Sequence, residues 1–364
     1  MHLDSQRQVR AGGTANGTGV RGPLEGTRII EAADAAAPLH VRLAIAMAGK
    51  IACELGAEVT VVEPSGGDPI RRLPPFQQGL DKRSALFEFL NGGKRAIPAH
   101  GLSNRDDLGA DAVLIDESVR LPDHASAVVV STFGPHQPDL REPASELTIM
   151  AMSGVLHLIS QQAGEPFRLP GHQPSYAAGL AAFLAMTAGL LAQRRTVADV
   201  SVLDALLWVN WKIACGPLLA PPARDRSIGE WQAVAASDGY VALVYMDRDW
   251  PALIDLVGDV RLREPRFATR QARLENLDAL MDLLRPWFAA RRKADIYREA
   301  QSRHIPLGPV WTISDLLRDA QYIERDFLAA TPAGIMPRLP VMWNGRRPNN
   351  GESTRQRIGS VLDD

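Results

Sequence analysis

Residues 27–63 constrain the fold more than any other stretch of the chain. Residues 27–32 (TRIIEA) are a short apolar run of strand length. Pro38 then opens a helical pattern, with Val41, Ala44, Ile45, Ala48, Ile51, Ala52 and Leu55 at helical spacing and Gly56 where such a helix ends. Residues 58–62 (EVTVV) read as the next strand, closing on Glu63-Pro64. A strand–helix–strand unit of this length joins parallel neighbours through a right-handed crossover. Ligands of such sheets sit beyond the carboxyl ends of the strands. Residues 33–38 and 63–72 are therefore the expected edge of a site.

The rest of the chain extends this pattern. The segment NGGKRAI leads into another strand, and residues 111–115 and 127–132 read as two more buried ones. Helices are predicted over 146–160, 176–194 and 202–214, with a short strand at 199–201. Residues 217–222 (PLLAPP) mark a boundary. Beyond it come a strand at 239–245, amphipathic helices at 249–257, 274–290 and 295–302, and shorter pieces at 306–310 and 314–319. The expected class is α/β: a large domain over 23–222 with a mostly parallel sheet, and a smaller α+β domain over 225–330. Residues 1–22, dominated by Gly, Thr and Asn after Arg10, are expected to be a disordered tail.

Charge narrows the function classes. Forty basic residues against 42 acidic ones leave a formal net charge of -2, with no footprint for nucleic acid or an anionic membrane. Residues 1–22 have no apolar core of the kind a signal peptide carries. Residues 176–191 are apolar but short and rich in Ala and Gly, so they read as a buried core helix. The only cysteines, Cys53 and Cys215, sit in apolar runs and read as buried thiols, which fits a cytoplasmic protein. His157, His172 and His304 lack metal-ligand spacing, and no metal site is expected.

Several separated motifs carry a resemblance to a known family. PLEGTRIIEAA with ACELGAEVTVVEPSGGDPIR, then FEFLNGGKRAI, LTIMAMSGVL, GEPFRLPGHQPSYAAGLAAFLAMTAGLLAQRR, SDGYVALVYMDRDWPALIDLVG and RHIPLGPVWTISDLLRDAQYIERDF follow in order. Together, over roughly residues 23–360, they resemble the class III CoA-transferases, whose cousins are 2-methylacyl-CoA racemases. The resemblance implies a Rossmann-like large domain completed by residues 331–364, with the smaller domain inserted. It implies coenzyme A or an acyl-CoA as substrate, a small carboxylic acid as its partner, and no permanently bound cofactor. It also implies an interlocked dimer, either of identical chains or with a paralogue.

By the same resemblance, an aspartate four residues before a helical glycine attacks the acyl-CoA. Gly179 fits the glycine, so the aspartate position is Ser175. Serine cannot form the anhydride that a carboxylate forms, and it needs a base to act as a nucleophile. His172 is the nearby candidate base. The competing reading makes Ser175 a helix N-cap. The racemase histidine falls at Ser145, which cannot shuttle a proton near neutrality. Glu146 and Glu165 are the carboxylates left in the area, read here as solvated or helix-start charges. For CoA, the resemblance points to Ala36, Ala37 and Pro38 after the first strand, to Glu63, Pro64 and Arg71 at the VEP turn, and to Lys94 and Arg95. Arg72 reads equally as a loop charge or as part of the CoA cleft. In DESVRLPDH, Arg120 stands near a loop that is shortened relative to the family. The expected function is CoA transfer with a divergent nucleophile; the alternatives are a degenerate CoA-binding subunit beside an active paralogue, or a racemase. On this basis, Ser175→Asp is expected to raise turnover.

Overall fold

The structure is a computed structural model. It describes residues 22–76, 83–99, 109–120, 123–135, 144–159, 166–192, 194–211, 231–331, 334–343, 345 and 347. Residues 1–21 of the expected tail, Glu165, Cys215 and the expected boundary at 217–222 lie outside the described residues. The chain divides into two compact units. One comprises Met1–Val155, Arg168–Asn210 and Phe327–Asp364, the other Leu156–Phe167 and Trp211–Asp326.

The first unit is built on β1 (Arg28–Ala32), α1 (Leu39–Glu54), β2 (Glu58–Glu63), α2 (Ala85–Asn91), β3 (Arg95–Pro98), β4 (Ala112–Asp116) and β5 (Ser126–Ser131). After α3 (Glu146–Met152) it continues with α5 (Gln173–Leu191), β6 (Val197–Ser201) and α6 (Val202–Val209); the short α4 (Val155–Ile159) falls, but for Val155, in the second unit. The six strands form one parallel sheet in the order β3-β2-β1-β4-β5-β6. The chain starts in the middle, winds outward to β3, and returns to lay β4 on the other side of β1. The reversal between β1 and β4 is the switch point where sheets of this order leave a crevice. There the Asp34 N–H donates to Asp116 Oδ1 at 2.7 Å, tying the loop after β1 to the end of β4.

Burial explains why these segments are strands. β4 (AVLID) is buried at every position, as a strand covered on both faces must be. Ile30, Ala32, Val62, Val113, Ile115 and Ala127 pack into one cluster on the sheet. α1 is buried along almost its whole length and ends where predicted, with Gly56 at φ +99°. Its partner is α5, a close approach that Gly179 permits: a Cβ there would meet Met47 Cβ at 2.7 Å and the Ala44 carbonyl oxygen at 2.9 Å.

Two expectations change. The helix expected over 146–160 is two pieces, α3 and α4, broken at Ser153-Gly154, where Gly154 takes φ +77°. The expected core helix over 176–194 is α5, and it buries only one face: Leu180, Leu184 and Leu191 are exposed. The C-terminal part of this unit also holds a hairpin of β10 (Leu328–Thr331) and β11 (Gly334–Pro337).

The second unit has a three-stranded antiparallel sheet of β7 (Gln232–Ala236), β8 (Gly239–Leu243) and β9 (Gly308–Val310). Its helices include α7 (Trp250–Val257), α8 (Arg270–Glu275), α9 (Leu277–Ala289) and α10 (Lys293–Ser302). Tyr245, Leu253, Phe267, Leu284 and Phe288 form its core. Arg273 is buried there, paired with Asp247 and with its guanidinium 4.7 Å from the Trp250 ring.

Candidate active site

The candidate nucleophile position lies at the start of α5. His172 is the N-cap residue and Ser175 stands inside the first turn, so the N-cap reading of Ser175 is corrected. The Ser175 side chain is fully buried, and its hydroxyl donates to Glu146 Oε1 at 2.5 Å. Glu146 is the first residue of α3, where Ser145 accepts the Thr148 N–H at 3.2 Å and caps the helix. His172 Nδ1 lies 2.5 Å from the other carboxylate oxygen, Glu146 Oε2. One glutamate therefore receives the hydroxyl and the imidazole that the sequence placed beside each other. Of the two readings of Glu146, the solvated charge is corrected, since its side chain is only 10% exposed, and the helix-start charge holds.

The electrostatics follow from this packing. Burial pushes the Glu146 carboxyl up, but hydrogen bonds from His172 and from the Ser175 side chain and backbone, with the imidazole charge, hold it below its ordinary value. His40, at the start of α1, is buried and pairs through Nε2 with Thr132 Oγ1 at 2.7 Å, just past the end of β5. Burial depresses the His40 pKa, and the Glu146 charge works against that. Burial, reinforced by the Glu146 charge, pushes the Tyr176 phenol up to about 12. Tyr176 also meets the His172 ring edge-on, with centroids 6.1 Å apart. His40, Thr132, Glu146, His172, Ser175 and Tyr176 thus form one polar cluster at the carboxyl edge of the sheet.

The expected CoA-binding residues fall into three places. Ala36 and Ala37 lie in the loop after β1, where Asp34 accepts both their N–H groups, and Pro38 is the N-cap residue of α1. Glu63 ends β2, with Pro64 next to it, and grips Arg71 in a fork, with Nη2 to Oε1 at 2.5 Å. Arg71 is 45% exposed and lies 3.9 Å over the Phe87 ring. Lys94 is elsewhere: its side chain is fully buried, paired with Glu31 at 2.6 Å and donating to the Ala46 carbonyl at 2.8 Å. Its ammonium is occupied inside the domain rather than presented to solvent. Arg95 is exposed at the start of β3. Arg72 is exposed, and Arg120 is 87% exposed in a loose pair with Asp123.

Burial pushes the Glu31 carboxyl up to about 7, against the pull of Lys94. The missing Cβ of Gly49 makes room for this carboxylate, since a Cβ there would stand 1.5 Å from Glu31 Oε1. Arg42, unremarked in the sequence, is buried between the Asp34 carbonyl and Asp68, whose Oδ2 is 3.9 Å away. Among the described residues no three His, Cys, Asp or Glu side chains are disposed to hold a metal ion. His40 and Thr132 were missed because they meet across 92 residues of sequence, and no local motif marked Tyr176 or Arg42. Glu146 had one local signal, a carboxylate directly after a capping serine.

Comparison with known proteins completes the picture. A family model described as CoA-transferase family III matches residues 24–107 and 127–356. Succinyl-CoA:glutarate CoA-transferase from Mus musculus is 26% identical over 348 residues, covering 83% of this chain and 75% of the relative. Succinyl-CoA:(R)-benzylsuccinate CoA-transferase subunit BbsE from Thauera aromatica is 27% identical over 335 residues, 76% of this chain and 78% of the relative. In fold, a CAIB/BAIF family protein from Brucella suis superposes with a TM-score of 0.80 at 22% identity, over 94% of this chain and 99% of that one. The parallel sheet, the motif order and the extent of the match agree, and the chain belongs to CoA-transferase family III.

Proposed function

We propose that this protein moves CoA between an acyl-CoA thioester and a small carboxylic acid. In this reading Ser175 takes the family's aspartate position, and one observation carries it: an ionised, mostly buried carboxylate lies against that serine, on Glu146. The site therefore keeps the group on which carboxylate chemistry depends. Glu63, Pro64 and Arg71 at the turn after β2, with Ala36, Ala37 and Pro38 after β1, supply the surface for CoA, and the half-exposed Arg71 suits its phosphates. Lys94 has a structural part in this reading, as the partner of buried Glu31.

The exposed stripe of Leu180, Leu184 and Leu191 on α5, with Trp208 and Val209 on α6, supports assembly with another chain. Leu191 is 77% exposed and Trp208 74%. The partner is a second copy or a paralogue; the Thauera relative is named as a subunit. A buried free thiol at Cys53 fits the cytoplasm.

The test is calorimetry with CoA and acyl-CoA, followed by transfer from succinyl-CoA or acetyl-CoA to a panel of labelled carboxylic acids. Binding with transfer is expected. No binding heat, or affinity no better than millimolar, would defeat the reading. Binding without transfer would favour the degenerate-subunit alternative.

A further inference from the structure

We infer that Glu146 is the nucleophile of the transfer reaction, taking over from α3 the role that the start of α5 no longer fills. The inference rests on the CoA-transfer reading above and names the residue that performs it. Two observations carry it. Glu146 Oε1 is 2.5 Å from the Ser175 hydroxyl, so a carboxylate oxygen lies one hydrogen bond from the substituted position. The two oxygens are held by different groups, Oε1 by fully buried Ser175 and Oε2 by His172, whose side chain is 23% exposed. The two carboxylate oxygens therefore differ in surroundings: Oε1 lies against a fully buried group and Oε2 against a half-buried one.

That asymmetry assigns the atoms. Oε2, on the side of half-buried His172, attacks the thioester carbonyl of the acyl-CoA. A C–O bond forms, the C–S bond breaks, and CoA leaves as thiolate, giving a mixed anhydride on Glu146. The thiolate then attacks the Glu146 side-chain carbonyl. The bond from that carbon to Oε2 breaks, the first acid leaves as its carboxylate carrying Oε2, and a glutamyl-CoA thioester remains. The acceptor carboxylate attacks that thioester and releases CoA thiolate again. The thiolate attacks the acceptor's own carbonyl in the new anhydride, forming the acceptor acyl-CoA and freeing the Glu146 carboxylate, one of its oxygens now from the acceptor. No oxidant, reductant or net proton is needed. In each step at the glutamyl carbon, negative charge develops on Oε1. The Ser175 hydroxyl already points there, and the Ser175 backbone N–H adds to the pull on this carboxylate. Ser175 is a stabiliser of that oxyanion in this scheme, and His172 positions the carboxylate.

A purely structural Glu146, tying α3 to α5, would show the same hydrogen bonds, so the test must read chemistry. The full chain is incubated with succinyl-CoA or acetyl-CoA and the matching labelled acid, and exchange is followed. Samples are then treated with borohydride, which reduces an enzyme-bound thioester, and the modified peptide is located by mass spectrometry. Expected are exchange by the wild type and reduction at Glu146. Glu146→Gln should lose exchange by at least ~10³-fold while keeping CoA affinity by calorimetry. Glu146→Asp, which keeps a carboxylate, should still form the adduct at residue 146. Ser175→Ala should slow exchange by ~10²–10³-fold with the adduct still on Glu146, the size expected for one oxyanion donor. Exchange with the adduct on another residue, or an active Glu146→Gln, overturns the assignment and leaves the CoA-transfer reading standing. A wild type that exchanges no label with any acyl-CoA tested overturns both.

Discussion

Replacing Gly179 by alanine sets two effects against each other and lets their sign decide. A glycine inside a 19-residue helix costs about 1 kcal/mol relative to alanine, so propensity alone predicts that Gly179→Ala stabilises the protein by that amount. The packing predicts the opposite. The new Cβ would meet Met47 Cβ at 2.7 Å, the Ala44 carbonyl oxygen at 2.9 Å and Met47 Cγ at 3.0 Å. The first two belong to the rigid part of α1 and cannot rotate aside, so the helices must separate. Overpacking of this kind costs about 1–3 kcal/mol. With two immovable contacts the upper figure applies, and the net loss is about 2 kcal/mol after the propensity gain. At a urea dependence of ~3 kcal/mol/M, the midpoint of the first unit falls by roughly 0.7 M. Separation of α1 from α5 also shifts Ser175 relative to Glu146, and a displacement of ~1 Å at a reacting centre costs ~10²-fold in rate. Urea unfolding monitored by circular dichroism and the CoA exchange assay read the two effects. A raised midpoint for Gly179→Ala would refute the close-approach argument.

Two further expectations concern charge. Lys94→Met strands the buried Glu31 carboxylate and should cost about 3–5 kcal/mol of stability in urea unfolding, with CoA affinity unchanged in the folded protein; Glu31→Met with Lys94→Met should recover most of the loss. Lost CoA affinity without lost stability would instead return Lys94 to the binding surface. Ser175→Asp, expected from the sequence to raise turnover, should now lower it, because a second carboxylate would sit against Glu146 and one of the two must take up a proton. In the wild type the Glu146 pKa lies below the ordinary 4.5, so the carboxylate contributes stability and nucleophile above that value and loses both as pH falls through its folded pKa. In Ser175→Asp the acid limb of the exchange rate should move to higher pH; a faster enzyme with an unmoved limb would contradict the geometry.

Much of the architecture was legible because it is written in short-range periodicity. TRIIEA, the helix from Pro38 and EVTVV are each decided by neighbours within a few residues, and right-handed crossover then dictates parallel pairing. The break at Ser153-Gly154 was less visible, since one glycine in an apolar run signals either a helix interior or its end. The exposed face of α5 was invisible, because apolar residues all round a helix read as buried whatever eventually covers them.

The chain itself also determined that serine stands at position 175 and glycine at 179. What that serine does was a tertiary matter. Glu146 and Ser175 are 29 residues apart, and no spacing rule joins them; their contact exists because α3 and α5 meet at the carboxyl edge of the sheet. The same holds for Lys94, whose charge looked ready for phosphate until folding set it against Glu31 in the interior. Local sequence determines which backbone forms, because that choice depends on near neighbours. The partner and protonation of a side chain depend on which distant groups share its desolvated volume, and only the folded chain decides that.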